Sequence, residues 1–262
     1  MPKGFGLYLF STDETAVQEA VEAGVDGIVI DWENTGKPER QAAADTQINY
    51  DSPEDLARIR RCTEAKVLCR LNGFSRTTAD EVARAIDCGA DELLLPMVRT
   101  ADEVKATLDM ASERVDLGIL VETSEAVAEF GALVRLPIRR VYVGLNDLAI
   151  DRDLRNIFES VADGTVESVR ESCHLPFGFA GLTLPDRGSP IPCRLLINEM
   201  VRLRCDFSFL RRSFHADVQR TTIAAAVPAI REAVNAAMDE PPESLRWSRS
   251  ELLDHIRVWS GR

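Results

Sequence analysis

GILVETSEAV (118–127) and VYVGLNDLAI (141–150) each join a short apolar run to a polar stretch with helical spacing. In both segments an acidic residue, Glu122 or Asp147, stands where the apolar run ends. This pattern is typical of a β-strand followed by an α-helix in a parallel sheet, where ligands bind at the carboxyl ends of the strands. We therefore expect Glu122 and Asp147 to lie close together at that edge of the sheet.

The alternation of short apolar runs with amphipathic stretches extends through most of the 262 residues. Strands are predicted at residues 6–10, 27–32, 66–72, 92–97, 117–123, 140–146, 177–183 and 206–212. Helices are predicted near residues 13–23, 53–64, 78–88, 100–113, 124–134, 153–172, 191–204 and 215–238. Eight strand–helix repeats favour an α/β fold, a single (β/α)₈ TIM barrel, over a doubly wound open sheet.

The composition changes after the predicted barrel, which covers residues 1–238. Within 239–262, DEPPES is interpreted as a linker, and an extra C-terminal helix follows it. One face of this helix carries the apolar residues Leu252, Leu253, Ile256 and Trp259. Because the barrel is already complete, we expect the helix to pack on its own barrel or on a neighbouring subunit.

Charge and composition exclude several classes of partner. The chain carries 43 acidic and 31 basic residues, and its net charge is −12. A polyanion without a tight basic cluster binds nucleic acid and anionic membranes poorly, so neither is expected as a partner. No apolar run approaches the roughly 18 residues of a membrane span, and the six cysteines form no CxxC pair. We expect a cytoplasmic protein with a small-molecule substrate.

Polar residues follow most of the predicted strands. The candidate site consists of Glu33, Arg70, Asn72, Glu122, Asp147 and Thr183, with the backbone of Gly144, Leu145 and Asn146. Two converging carboxylates repel each other unless a cation lies between them, and oxygen ligands suit Mg²⁺ or Mn²⁺. We therefore expect Glu122 and Asp147 to bind a divalent cation. The planar guanidinium of Arg70 is suited to gripping a carboxylate or carbonyl oxygen.

These residue types suit a 2-oxo acid as the substrate. A divalent cation could chelate its carboxylate and adjacent carbonyl, and so stabilise the enolate formed when a carbon–carbon bond breaks or forms. Backbone amides from Gly144 to Asp147, at a predicted helix start, could hold another oxygen. Simpler interpretations stay open: Asp147 as a helix cap, Glu122 as an ion-paired acid, and Arg70 as the partner of Glu33.

Four segments resemble the HpcH/HpaI aldolase and citrate lyase family: RLNG (70–73), GADELLLPMVRTADEV (89–104), ILVETSEAV (119–127) and VYVGLNDLA (141–149). The resemblance implies a (β/α)₈ barrel of the phosphoenolpyruvate-binding type with Mg²⁺ or a similar ion. It implies that Glu122 and Asp147 bind the metal and that Arg70 grips the substrate. Members commonly form trimers or hexamers through a C-terminal helix, so the resemblance also implies a homo-oligomer.

The segment IDWENTGKPERQ (30–41) departs from the family pattern. Aldolase members have a histidine as general base where Asn34 stands, and an amide cannot accept a proton near neutral pH. Candidate replacements are Glu33, a metal-bound water and a residue from another subunit. His215 is a weaker candidate, because its place after the last strand is typical of a helix start. Asp31 and Glu33 are expected to face opposite ways, with only one pointing into the barrel.

Three functions compete on this evidence. The leading hypothesis is a divalent-metal-dependent carbon–carbon lyase or aldolase acting on a 2-oxo acid such as pyruvate or oxaloacetate. A citryl- or malyl-thioester lyase would need a coenzyme A groove, and the loop 34–50 is neither long nor strongly basic. A barrel that has lost catalysis and serves as a binding or scaffold protein is favoured by Asn34. The intact Arg70, Glu122 and Asp147 argue against that third function.

Overall fold

The computed structural model describes residues 4–34 and 51–261, and residues 1–3, 35–50 and 262 lie outside it. The strands are β1 (Gly6–Phe10), β2 (Gly27–Asp31), β3 (Lys66–Arg70), β4 (Glu92–Leu95), β5 (Asp116–Val121), β6 (Val141–Val143), β7 (Phe177–Phe179), β8 (Gly181–Leu182) and β9 (Phe207–Leu210). Neighbouring strands are parallel, in the order β7-β6-β5-β4-β3-β2-β1-β9-β8. The sheet is a nearly closed barrel with helices between its strands, which confirms the predicted TIM-barrel fold.

Helices connect the strands at most of the predicted places. They are α1 (Glu14–Glu22), α2 (Pro53–Cys62), α3 (Thr78–Asp87), α4 (Ala101–Ala111), α5 (Ser124–Ala128), α6 (Phe130–Leu133), α7 (Leu145–Asp151), α8 (Glu159–Ala162), α9 (Thr165–Ser172), α10 (Cys193–Arg202), α11 (Arg212–Val218), α12 (Ile223–Met238) and α13 (Pro242–Ser260). The predicted helices 153–172 and 215–238 are each divided into shorter ones. Across the described ranges, no helix is both long and apolar enough to cross a bilayer.

Local signals explain where helices begin and end. At the start of α2, the Ser52 hydroxyl accepts from the Asp55 N–H at 3.2 Å, and the Asp55 carboxylate accepts from the Ser52 N–H at 2.8 Å. Gly24 and Gly89 follow α1 and α3 with φ angles of 101° and 92°, which favour glycine.

The predicted seventh strand, 177–183, is divided at Ala180, whose φ is 49°. Its first part, β7, pairs with β6, and its second part, β8, pairs with β9, so one segment contacts both neighbours in turn. The Ser208 hydroxyl donates to the Ala180 carbonyl at 2.7 Å across this junction. A Cβ at Gly178 would lie 2.4 Å from the Phe207 carbonyl oxygen, so this close approach requires glycine.

The barrel interior is filled by an apolar layer below the carboxyl ends of the strands. Its residues are Tyr8, Phe10, Val29, Leu68, Leu94, Leu120, Tyr142, Phe207 and Phe209. Because residues two apart in a strand point the same way, the next inward positions toward the carboxyl ends follow directly. These positions are Asp31, Arg70, Glu122, Gly144 and Arg211. The alternation of the strands therefore places a polar layer on top of the apolar one.

A buried ion pair lies at the opposite, amino-terminal end of the barrel. Arg140 Nε and Nη2 donate to the two oxygens of Glu92 at 2.5 and 2.7 Å. The Arg140 Cζ lies 4.5 Å from the ring centroid of Tyr8 and 4.8 Å from that of Phe207. One acid matches one base here, and aromatic rings cover the guanidinium.

The C-terminal helix α13 packs on its own chain. Leu252 and Ile256 are buried, and the Asn198 amide on α10 donates to the Ser248 hydroxyl at 2.8 Å. Since α13 begins at Pro242, the predicted linker was too long. The other face of the helix exposes Trp247, which is 81% accessible in the single chain. Contact of this helix with a neighbouring subunit stays a prediction.

Candidate active site

A cavity of about 410 Å³ opens at the carboxyl ends of the strands. The candidate site residues that line it are Arg70, Glu122, Gly144, Leu145, Asn146 and Asp147. Its far wall is formed by residues that follow β9, and by Phe10 at the end of β1. The structure therefore brings six of the nine candidate residues to one cavity, at the edge of the sheet where they were expected.

Arg70 is held by two carboxylates. Its Nε and Nη2 donate to the two oxygens of Asp31 at 2.8 and 2.7 Å, and its Nη1 lies 3.0 Å from Glu33 Oε2. Burial alone would lower the pKa of Arg70, but the charges of Asp31 and Glu33 raise it well above its usual value. The expectation that Asp31 and Glu33 face opposite ways was wrong, because residues two apart in an extended chain share a face.

Glu122 and Asp147 line the same cavity, and both side chains are nearly buried, with exposed fractions of 3% and 6%. Glu122 Oε2 accepts from the Met97 N–H at 3.1 Å. Burial, followed by the negative charges of Asp147 and Glu33, raises the pKa of Glu122 to about 8, while Arg70 lowers it. At neutral pH the pair therefore disfavours two simultaneous negative charges.

Gly144 makes room for the Glu122 carboxylate. A Cβ at position 144 would lie only 2.1 Å from Glu122 Oε1. The Gly144 N–H donates to the Val121 carbonyl at 3.1 Å, so the sheet uses this amide and a substrate does not. Gly144 therefore contributes space for the Glu122 carboxylate. From the sequence, its backbone N–H was expected to hold a substrate oxygen instead.

Two further residues of the cavity carry side chains that can exchange a proton. His215 Nε2 lies 2.6 Å from the Phe10 carbonyl oxygen, which only accepts, so Nε2 carries the hydrogen and Nδ1 is left as an acceptor. Asp51 accepts from the Asp31 N–H at 2.8 Å, and burial together with the nearby acids raises its pKa to about 6. Both residues line the cavity.

Comparison of the sequence with models of protein families shows the family of this chain. The model of the HpcH/HpaI aldolase/citrate lyase family matches residues 4–157, which is more than half of the sequence. The chain belongs to this family. Its members are generally lyases and aldolases, and the chain is accordingly assigned a lyase or aldolase function. No curated protein sequence matches it.

Solved structures of other proteins share the fold. An HpcH/HpaI aldolase from Desulfitobacterium hafniense DCB-2 has 13% identity and a TM-score of 0.63, covering 91% of this chain and 95% of its own. RipC from Yersinia pestis has 15% identity and a TM-score of 0.58, with 94% and 100% covered. The citrate synthase SbnG has 17% identity and a TM-score of 0.59, with 83% and 90% covered. At these identities the likeness shows a common architecture.

Three candidate residues of this HpcH/HpaI family member bind other side chains or backbone groups instead of lining the cavity. Among the residues that the structure describes, Asn72, Thr183 and Glu33 do not line the cavity. The Thr183 hydroxyl donates to Asp217 at 2.6 Å, and the Asn72 side chain accepts from the Asn34 N–H at 3.0 Å. Glu33 pairs with Arg70, as the simpler interpretation of that arginine expected.

The donor set fits a hard cation. In the parts of the chain that are described, no three His, Cys, Asp or Glu side chains are arranged to hold a metal ion. Mg²⁺ usually keeps several waters and takes one or two protein carboxylates together with substrate oxygens. Glu122 and Asp147 match that requirement, whereas a closed zinc site would need four protein ligands. Residues 35–50, on which the coenzyme A groove depends, lie outside the described residues.

Sequence reasoning left three cavity residues without a firm role: Asp51, Arg211 and His215. Arg211 directly follows β9 and lies two residues after the inward-facing Phe209. This spacing could have predicted that Arg211 faces the barrel interior. Asp51 precedes the cap of α2 and carried no signal of its own. The expectation that His215 begins a helix was wrong, because it lies inside α11, which begins at Arg212; its contact with Phe10 depends on closure of the barrel.

Proposed function

We propose that this member of the HpcH/HpaI family is a divalent-metal-dependent carbon–carbon lyase acting on a 2-oxo acid. The supporting observation is that Glu122 and Asp147 line one cavity together with Arg70, and that both acids are at most 6% exposed. Two neighbouring carboxylates in a low dielectric repel each other, and a divalent cation between Glu122 and Asp147 would offset that repulsion.

Each group has a defined task in this proposal. Glu122 and Asp147 would hold Mg²⁺ or a similar ion, which polarises the carboxylate and 2-oxo oxygen of the substrate. Arg70 keeps a fixed positive charge near the oxygen on which negative charge develops. Glu33 orients Arg70 through their ion pair and is not assigned the proton transfer. Leu145 and Asn146 form the wall against which the substrate rests.

Proton transfer is assigned to the far wall of the cavity. The histidine that aldolase members carry on the β2 loop is replaced by Asn34. His215 is the group we propose in its place, since its Nδ1 is an acceptor and the residue lines the same cavity. Replacing His215 with Asn is expected to lower kcat by about 10²-fold or more, with cation binding retained. Stopped-flow and melting measurements on the same variant separate these two effects.

Thermal unfolding tests the metal proposal. Mg²⁺ or Mn²⁺ together with oxalate, pyruvate or oxaloacetate should raise the Tm by more than the sum of the separate shifts. The Asp147→Asn variant should lose this cation response. Asp109→Asn, which removes an exposed acid on α4, serves as the control and should keep it. A wild-type protein whose Tm responds to neither ion, with or without oxalate, contradicts the proposal and favours the binding or scaffold function.

A further inference from the structure

Arg211 is a cation in the cavity wall, and no carboxylate among the described residues pairs with it. It follows β9, lines the cavity and is partly buried. Within residues 4–34 and 51–261, its guanidinium makes no ion pair and no hydrogen bond. By contrast, Arg70, Arg140, Arg202 and Arg249 each contact a carboxylate. Arg211 therefore differs from the arginines that neutralise acids inside this fold.

Phe10 places Arg211 beside the metal-binding half of the cavity. The Phe10 ring centroid lies 4.5 Å from the Arg211 Cζ and 5.3 Å from the Arg70 Cζ. The two guanidinium groups thus contact the same ring, and Arg70 already has Asp31 and Glu33 as partners. Arg211 has the aromatic contact alone, which leaves its N–H donors available toward the cavity.

The surroundings of Arg211 penalise its charge in the absence of a ligand. Burial, followed by the repulsion of Arg70, lowers the pKa of Arg211 from its ordinary value. An arginine still remains protonated at neutral pH, so the charge persists and its repulsion is not relieved. An anionic group bound here would relieve both effects, and a carboxylate matches the fork of the guanidinium with two parallel hydrogen bonds.

We infer that Arg211 binds a second carboxylate of the substrate, so that this enzyme selects 2-oxo dicarboxylates over 2-oxo monocarboxylates. The inference rests on the proposed function, in which the first carboxylate and the 2-oxo group lie at Glu122, Asp147 and Arg70. The two subsites are neighbours across one aromatic ring. A cavity of about 410 Å³ accommodates a small dianion spanning them. Arg211 is thereby a specificity-determining residue.

Ligand binding to the Mg²⁺-loaded protein tests the inference. In the wild type, oxaloacetate and 2-oxoglutarate should bind more tightly than pyruvate. Arg211→Gln should weaken the binding of both dicarboxylates by about tenfold or more and change that of pyruvate by less than about twofold. Arg211→Lys should restore part of the difference, because it returns the charge without the fork. Arg220→Gln removes an exposed arginine from the turn after α11 and should have no effect.

The outcomes are distinguishable from those for the proposed function. Arg211→Gln removes an unmatched charge, so it should fold with an unchanged or higher Tm. If the variant weakens pyruvate as much as the dicarboxylates, or weakens neither, the inference is overturned while the lyase proposal stands. The inference is also overturned, and the lyase proposal stands, if the wild-type protein binds pyruvate and Mg²⁺ but does not bind the dicarboxylates more tightly. A wild type that binds no 2-oxo acid overturns both.

Discussion

The two ends of the barrel interior each carry a buried arginine, and their surroundings differ. At the amino-terminal end, Arg140 donates two hydrogen bonds to Glu92, and aromatic rings cover the guanidinium. At the carboxyl end, Arg70 meets Asp31 and Glu33, with Glu122 and Asp147 beyond them. The charges of Arg140 and Glu92 offset each other, so this pair can stabilise the fold without a bound ion. At the carboxyl end, the neighbouring carboxylates of Glu122 and Asp147 border an open cavity, where the proposed cation would offset their repulsion.

The largest expected effect comes from breaking the balanced pair. Arg140→Met leaves Glu92 buried without a partner and should lower the free energy of unfolding by about 3–5 kcal/mol, as measured by urea denaturation. Arg139→Met is the matched control, because Arg139 and its partner Asp116 are 43% and 53% exposed. It should cost less than about 1 kcal/mol. Equal losses in the two variants would contradict the structural role of the Arg140–Glu92 pair.

A methyl group added at Gly144, at the carboxyl end of the barrel, should lower both the stability and the cation binding. Gly144→Ala places a Cβ against Glu122, so we expect a loss of about 1–3 kcal/mol and a much smaller Tm shift with Mg²⁺ and oxalate. Gly131→Ala is the control, since a Cβ there meets nothing within 4 Å. That variant should keep the cation response and a stability at least equal to that of the wild type. An intact cation response in Gly144→Ala would show that Glu122 can move away at little cost.

The raised pKa of Glu122 should make the stability of the cation-free protein depend on pH. The folded pKa of Glu122, about 8, lies above the ordinary value of 4.5, so the folded state keeps a proton that the unfolded state has lost. Between these two pH values stability should fall as pH rises, by at most about 1.4 kcal/mol per pH unit. Glu122→Gln should remove this contribution, and saturating Mg²⁺ should reduce it in the wild type. Parallel pH profiles for the variant and the wild type would contradict the assignment.

The smallest effect is expected at the surface of α13, far from both ends of the barrel interior. Trp247→Ser replaces a side chain that is 81% exposed, so the free energy of unfolding of the chain should change by less than about 0.5 kcal/mol. The response to Mg²⁺ and oxalate should be unchanged. A large change in either quantity would show that this face is covered in solution, and sedimentation of the variant would then reveal whether a second copy covers it.

The period of the apolar residues was enough to predict the barrel and the layer in which Glu122, Asp147 and Arg70 lie. It could not predict the division of residues 177–183 at Ala180, because that break depends on the contact of one segment with two strands. The period along one strand places Asp31 and Glu33 on the same face, but it does not show that both pair with Arg70. Side-chain pairs between strands are set by registers that a single sequence does not display.

Asn72 and Thr183 illustrate the same limit at the candidate site. Both follow predicted strands, as Glu122 and Asp147 do, but each uses its side chain to bind a neighbouring loop or helix. The position after a strand therefore selects residues near the cavity, and local hydrogen bonding decides which of them enter it. Arg211 is the opposite case, because its significance comes from an interaction that it lacks within the described residues.

Strand β1 unites the earliest and the latest parts of the chain. It pairs with β9 about two hundred residues later, its Phe10 ring contacts Arg70 and Arg211, and its Phe10 carbonyl meets His215. On the ribosome, a nascent chain that has not yet released β9 would have neither a closed ring nor a finished far wall. The cavity wall is thus completed only after residues 207–215 have been synthesised, and a product terminated before them would lack it.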